Sequence, residues 1–304
     1  MESPRRAPAG PDRDRVTVTG NELVRAVGRD ELELHFQPVI ELGTGQLTGF
    51  EALVRWHHPR HGFLAPDRFI PVAEECGLIE LVDDWVLRDA ARRLAAWQED
   101  ALVGRGFRVH VNVTGAEFDG DLVERVERAV HHSGAQPDGL TVEVTETRLI
   151  DDVDVAKRTI DALHGMGVAV AIDDFGAEYA TFVRLHALRF DTIKIDKGFI
   201  AVCDSDFGAA FIQAFVDLAR GLGAGTVAEG IETCAQLEAL ARVGCHHGQG
   251  FLWSPAIPAS DAEHLLVTGE LPTDVTRAGV ARLPRLLIGP GLRTTALVGP
   301  PGVT

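Results

Sequence analysis

Short segments in which apolar residues run together or alternate with polar ones recur at 34–40, 47–56, 108–113, 140–145, 168–172, 192–196, 226–229 and 248–252. Each is predicted to be a strand. Between them, apolar residues recur at helical spacing. Over 66–98, Phe69, Val72, Ala73, Cys76, Val82, Trp85, Val86 and Leu94 fall on one face, and further helices are predicted at 121–133, 153–165, 207–222 and 233–243. The aromatic residues of 66–98 are read as core. Strands alternating with helices over this length predict a parallel sheet with crossover helices. Eight strands, and no GxGxxG turn opening the first helix, favour a single-domain α/β fold of the (β/α)8 TIM-like barrel type over an open doubly wound sheet.

The same pattern sets the domain limits. Residues 1–20 are rich in Pro, Arg, Asp and Gly without periodicity and are read as a disordered extension. The barrel is placed at 21–269. Residues 270–304 are interrupted by Gly and Pro and are read as an irregular extension.

Nearly every expected strand ends in a polar residue: Glu51, Asn112, Glu143, Asp173 with Asp174, Lys194 with Asp196, Glu229 and Gln249. Alternation aims them to one side. Val142 and Val144 oppose Glu143 in TVEVTE, the isoleucines of TIKID oppose Lys194 and Asp196, and Val111 and Val113 flank Asn112. In a barrel these ends converge on one face. Carboxylates gathered so closely repel unless a cation lies between them, and oxygen-only donors suit a hard ion such as Mg2+ or Mn2+. Adjacent Asp173 and Asp174 suit a two-metal arrangement with a bridging carboxylate. Helix capping is the plainer role for any one of these carboxylates, but it accounts for neither Lys194 nor Asn112.

Composition narrows the function. Forty-five acidic against 29 basic residues give a formal net charge of −16, which disfavours nucleic-acid binding and requires a locally inverted charge for any anionic substrate. Cys76, Cys203, Cys234 and Cys245 form no CxxC pair and read as buried thiols of a reducing, cytoplasmic compartment. Arg5 and Arg6 are followed by prolines and charges rather than the apolar core of a signal peptide, and no run reaches membrane-spanning length, so no membrane insertion is expected.

The stretches FQPVIEL, GFEALVRWHHPRHGFLAPDRFIPVAEECGLI, VNVT, VEVTET, AIDDFG, DTIKID, TVAEGIET and GQGFLWSPAIP occur in this order between Asn21 and Pro258. In them the sequence resembles the EAL domain family. The resemblance implies a phosphodiesterase that hydrolyses cyclic di-GMP to linear pGpG, using two Mg2+ or Mn2+ ions. It implies that Glu51, Asn112, Glu143 and Asp173 hold the first ion and Asp173 with Asp174 the second, with Glu229 close by. Lys194, assisted by Glu229, would orient or activate the attacking water, and Gln249 would help position water or phosphate. Gln37, Leu53, Arg55 and Asp196 match positions that hold the dinucleotide, Arg55 as a phosphate fork. A homodimer is implied too, and Glu146 as the anchor of the loop after the aspartate pair.

That loop departs from the family pattern DDFGxGxSS: it reads Asp173, Asp174, Phe175, Gly176, Ala177, Glu178, Tyr179, Ala180, Thr181, with Glu178 at a glycine position. If a positive φ is needed there, Glu178 costs on the order of 1 kcal/mol and adds a carboxylate near the metal pair. His246 replaces an aspartate. The change at Glu178 supports an alternative function, an EAL-like receptor that binds cyclic di-GMP or a protein partner without turnover. A general phosphate-ester barrel hydrolase is a further alternative. The stretch also contains no recognisable synthase or sensor segment, so regulation is expected from the dimer, an unidentified partner protein or the extensions. His57, His58 and His61, and the pairs His131–His132 and His246–His247, read as solvated or locally hydrogen-bonded rather than metal ligands, because adjacent residues on a regular element diverge.

Overall fold

A computed structural model describes residues 18–113, 120–145, 152–175, 188–271 and 287–288. Among these residues eight strands close a barrel: β1 (Leu32–Glu41), β2 (Gln46–His58), β4 (Arg108–Asn112), β5 (Leu140–Thr145), β6 (Ala169–Phe175), β7 (Thr192–Ile195), β8 (Gly225–Ala228) and β9 (His247–Gly248). The circle runs β1-β2-β4-β5-β6-β7-β8-β9 and returns to β1. Three short strands, β3 (Gly62–Leu64), β10 (Ile257–Pro258) and β11 (Leu287–Ile288), add to its edges.

The barrel is mixed rather than wholly parallel. β1 runs antiparallel to both β2 and β9, while β2 and β4 through β9 are parallel to one another around the barrel. The link between β1 and β2 explains this: it spans only Leu42 to Gly45, with Gly45 at φ +73, and a parallel connection needs a dozen or more residues. Elsewhere crossover helices supply that length. β2 and β4 approach closely at Gly49, where an added Cβ would lie 2.4 Å from the carbonyl oxygen of Arg108.

The single helix expected over 66–98 is divided into a 3-10 turn (Pro66–Arg68), α2 (Ile70–Glu75) and α3 (Ile79–Glu99). Gly77, at φ +65, takes the left-handed conformation that ends α2. The remaining expected helices appear as α4 (Gly120–Ser133), α5 (Val153–Met166), α7 (Asp206–Leu222) and α8 (Cys234–Arg242). Three others were not expected: α1 (Gly20–Val27), closed by a capping box between Thr19 and Glu22, the short α6 (Lys197–Ile200) and α9 (Ala259–Thr268). Val18 is already buried ahead of α1.

The core lies between the barrel wall and α3. Phe36, Phe50, Phe107 and Trp97 pack with ring centroids 5.0 to 6.0 Å apart, and Trp56 meets Phe69 at 5.6 Å. All four cysteines are free thiols. Only Cys203 and Cys245 are buried; Cys76 and Cys234 are exposed, because each sits at a helix boundary rather than on a buried face. Among the described residues no helix is long and apolar enough to cross a membrane.

Candidate active site

The carboxyl ends of β2 and β4 to β9 bring seven of the expected residues into one network. Its centre is Lys194 on β7, 1% exposed, where a charged side chain persists only with compensating charge. Lys194 Nζ lies 2.6 Å from Glu143 Oε2, 2.7 Å from Glu229 Oε1, 3.0 Å from Asp173 Oδ1 and 3.4 Å from Glu51 Oε1. Asn112 Nδ2 donates to Glu51 Oε1 at 2.7 Å. Gln249 Nε2 donates to Glu51 Oε2, and to Glu229 Oε1 at 3.3 Å. Gln249 Oε1 is left buried with no partner among the described residues. At Asp173 the register between β6 and β7 shifts, an irregularity of the kind that re-aims side chains beside active sites.

Four carboxylates thus share one ammonium. Burial opposes ionisation of Glu143, Lys194 only partly relieves it, and Glu51 and Asp173 add repulsion, so its carboxyl is raised well above the usual range. Glu229 is pushed up to about 8, chiefly by burial, with Asp173 and Glu51 adding repulsion against the opposing pull of Lys194. Glu51 goes the other way: burial disfavours its charge, but Lys194, Gln249 and Asn112 outweigh that and hold it below its ordinary value. Lys194 also loses hydration, yet the surrounding carboxylates raise its pKa well above normal. Without another cation, burial and mutual repulsion favour the protonated carboxyl at Glu143 and Glu229.

One member has no counterpart in the sequence reading. His110 is buried on β4, and its Nδ1 meets Glu143 Oε1 at 2.8 Å. Its pKa falls to about 3 because burial, Lys194 and Arg108 all disfavour the imidazolium. Its ring is therefore neutral, and its N–H can hold Glu143 in orientation. The alternation that aims Asn112 inward also aims His110 inward, so parity carried the signal.

The residues expected to hold the dinucleotide surround this network without joining it. In the β1–β2 pairing Gln37 stands opposite Glu51, and Leu53 and Arg55 follow on the same face. Gln37 Nε2 donates to the carbonyl of Ser254 at 3.3 Å, and Arg55 donates to its neighbour Val54 at 2.9 Å. Leu53 and Asn112 line a mostly apolar cavity of about 290 Å³ with Pro66, Ile70 and Val86. Asp196 caps α6, with Oδ1 accepting from Gly198 N at 2.8 Å. The side chain of Asp174, Glu146 and the loop containing Glu178 lie outside the described residues.

Of the histidines read as locally hydrogen-bonded, His58 accepts from the backbone of Arg60 and His61, and His246 meets Thr226. Among the described residues, no three acidic, histidine or cysteine side chains close around one ion-sized point, because the ammonium of Lys194 occupies the middle of the network. The donor set nevertheless fits a hard cation: all donors are oxygens on rigid strand ends, the carboxylates outnumber the ammonium, and Gln249 Oε1 awaits a donor such as water.

The EAL domain profile matches residues 20–256. The chain belongs to the EAL domain family. Two relatives of this EAL domain come from Pseudomonas aeruginosa: the bifunctional diguanylate cyclase/cyclic di-GMP phosphodiesterase MucR, 39% identical over 242 residues, and the cyclic di-GMP phosphodiesterase NbdA, 39% identical over 248 residues. The matches cover 79% and 81% of this chain but 35% and 31% of those proteins, so the chain spans about a third of the length of the curated relatives it matches. In three dimensions the EAL domain superposes on the PaMucR phosphodiesterase solved in complex with c-di-GMP, with a TM-score of 0.75 and 38% identity over 80% of this chain and 98% of that one.

Proposed function

We propose that this EAL domain is a metal-dependent phosphodiesterase that hydrolyses one phosphodiester bond of cyclic di-GMP to give linear pGpG. The observation that carries the reading is the single network of Glu51, Asn112, Glu143, Asp173, Lys194, Glu229 and Gln249 at the carboxyl ends of the barrel strands. The likeness to phosphodiesterases of cyclic di-GMP supports the choice of substrate.

Glu51, Asn112, Glu143 and Asp173 would hold one Mg2+ or Mn2+ ion, and Asp173 with Asp174 a second. Bound there, the ions would acidify a water and offset the charge of in-line displacement at phosphorus. The side chains do the rest. Lys194 donates to the attacking water and fixes its lone pair towards phosphorus, and Glu229 receives the proton. Gln249, anchored by two carboxylates, turns Oε1 to the same water. His110 keeps Glu143 in place. Arg55 forks a phosphate, Gln37 and Asp196 hold polar edges of the dinucleotide, and Leu53 offers an apolar wall beside a cavity of about 290 Å³ suited to a base. Incubation with cyclic di-GMP and either metal should yield pGpG; saturable binding of intact dinucleotide without product would establish the receptor alternative.

Metal binding should release protons. Glu229 is pushed up to about 8 and Glu143 is raised as well, so a cation binding beside them favours loss of the protons they hold. Apparent Mn2+ affinity should rise with pH and level off above about 8. Calorimetric titration in two buffers of different ionisation enthalpy reads this directly; a buffer-independent heat at neutral pH would mean that both groups are already ionised.

The reading extends to a cytoplasmic homodimer. Val202, Phe207 and Phe211 are exposed together, Phe207 at 76%, and Phe207, Phe211 and Phe199 stack at 6.1 and 5.1 Å. A contiguous aromatic surface of this kind suits an isologous contact with a second copy. Phe207→Asp should shift the mass seen by light scattering from dimer to monomer; an unchanged mass would place the contact elsewhere.

A further inference from the structure

Below the carboxylate network the barrel interior carries a second polar layer, built by the same strands. Alternation along β4 places Arg108, His110 and Asn112 on one face, rising from the amino end of the strand to the network. On β7, Thr192 precedes Lys194, and His247 of β9 precedes Gln249 in the same way. Arg108, His110, Thr192 and His247, joined by Thr48 of β2, line a cavity of about 320 Å³. It lies at the amino ends of the parallel strands, opposite the network, and the two share His110: Nδ1 faces Glu143, which leaves Nε2 for the cavity.

Its lining holds one guanidinium and one carboxylate, which differ in how far they are already engaged. Arg108 has no ion pair or side-chain hydrogen bond among the described residues. Asp191, the one acid in the lining, is committed: its Oδ2 accepts from Val170 N at 2.8 Å and meets His164 Nε2 at 2.8 Å. The remaining polar groups are the Arg108 guanidinium, two imidazoles and the Thr192 hydroxyl, contributed by β4, β7 and β9, while the Thr48 hydroxyl of β2 already donates to the carbonyl of Val39 at 3.2 Å. Donors arriving from several walls suit a tetrahedral oxyanion, whereas a planar carboxylate is matched by one fork.

We propose that this floor cavity is a binding site for a small phosphate-class anion, held by Arg108 and His247 and reaching Nε2 of His110. An anion there can accept from Nε2–H of His110, whose Nδ1 is turned to Glu143. Binding stands independently of the phosphodiesterase reading.

The test is a titration of inorganic phosphate into the metal-free full chain, followed by amide chemical shifts, with acetate at equal ionic strength as comparison. Phosphate should give saturable shifts at Arg108, His110, Thr192 and His247. Arg108→Ser should weaken it about tenfold or more, as expected for loss of a charged hydrogen-bond donor. His247→Phe, which fills the cavity and leaves Arg108 in place, should block it separately. Equal affinity in wild type and both floor variants, shifts centred on Glu51 and Lys194 instead, or equal binding of acetate would each overturn the assignment. The hydrolysis of cyclic di-GMP does not enter this readout, so either proposal can fail alone.

Discussion

Glu51→Ala lowers turnover of cyclic di-GMP by about three orders of magnitude or more, the scale of losing several kcal/mol of transition-state stabilisation. The substitution removes the carboxylate that Asn112 and Gln249 both grip and that stands 3.4 Å from Lys194. It should not unfold the protein. Gln249 keeps Glu229 as an acceptor, and Lys194 keeps Glu143, Asp173 and Glu229. Removing one of the four clustered carboxylates also eases repulsion in the metal-free cluster. Chromatography of the products at saturating Mn2+, beside a thermal melt, separates the two effects. Undiminished turnover in a folded variant would take Glu51 out of the metal set.

The network was legible because barrel geometry turns a one-dimensional pattern into a convergence. Strand parity and strand ends were enough to gather Asn112, Glu143, Lys194 and Gln249, whose partners lie as far as 198 residues away in the chain. What escaped was decided by short-range geometry. The antiparallel β1 follows from the brevity of its link to β2, a length visible in the sequence but outweighed by the repeated strand–helix order. The break between α2 and α3 rests on one glycine conformation at Gly77, which apolar periodicity does not register. Asp196 alternates with the isoleucines, and its Oδ1 also caps α6, a local role that alternation does not register. His110 shares parity with Asn112 but lies one step below the strand terminus, where the pattern of polar strand ends does not reach.

Lys194→Met produces the largest combined effect. In the metal-free protein it removes the ammonium that lies within 3.4 Å of four carboxylates, and breaking a buried ionic cluster by deleting one partner costs about 3–5 kcal/mol. The loss depends on pH. Glu143 and Glu229 already have folded pKa values above their unfolded ones, and they rise further without the ammonium; a carboxyl raised in this sense is tolerated while protonated and disfavours the fold as pH climbs through the window between the unfolded and folded values. The variant should therefore approach wild-type stability near the ordinary carboxylate pKa and diverge from it towards neutrality. Mn2+ should then restore more stability to the variant than it adds to wild type, since the ion supplies charge compensation that the ammonium otherwise provides. Turnover should stay low even with metal, because methionine has no N–H to orient the attacking water. Denaturant unfolding across this pH range, with and without Mn2+, tests each part. A metal-free variant as stable as wild type at neutral pH would show that the carboxylates discharge by protonation alone, and that Lys194 is held for the reaction and not for the fold.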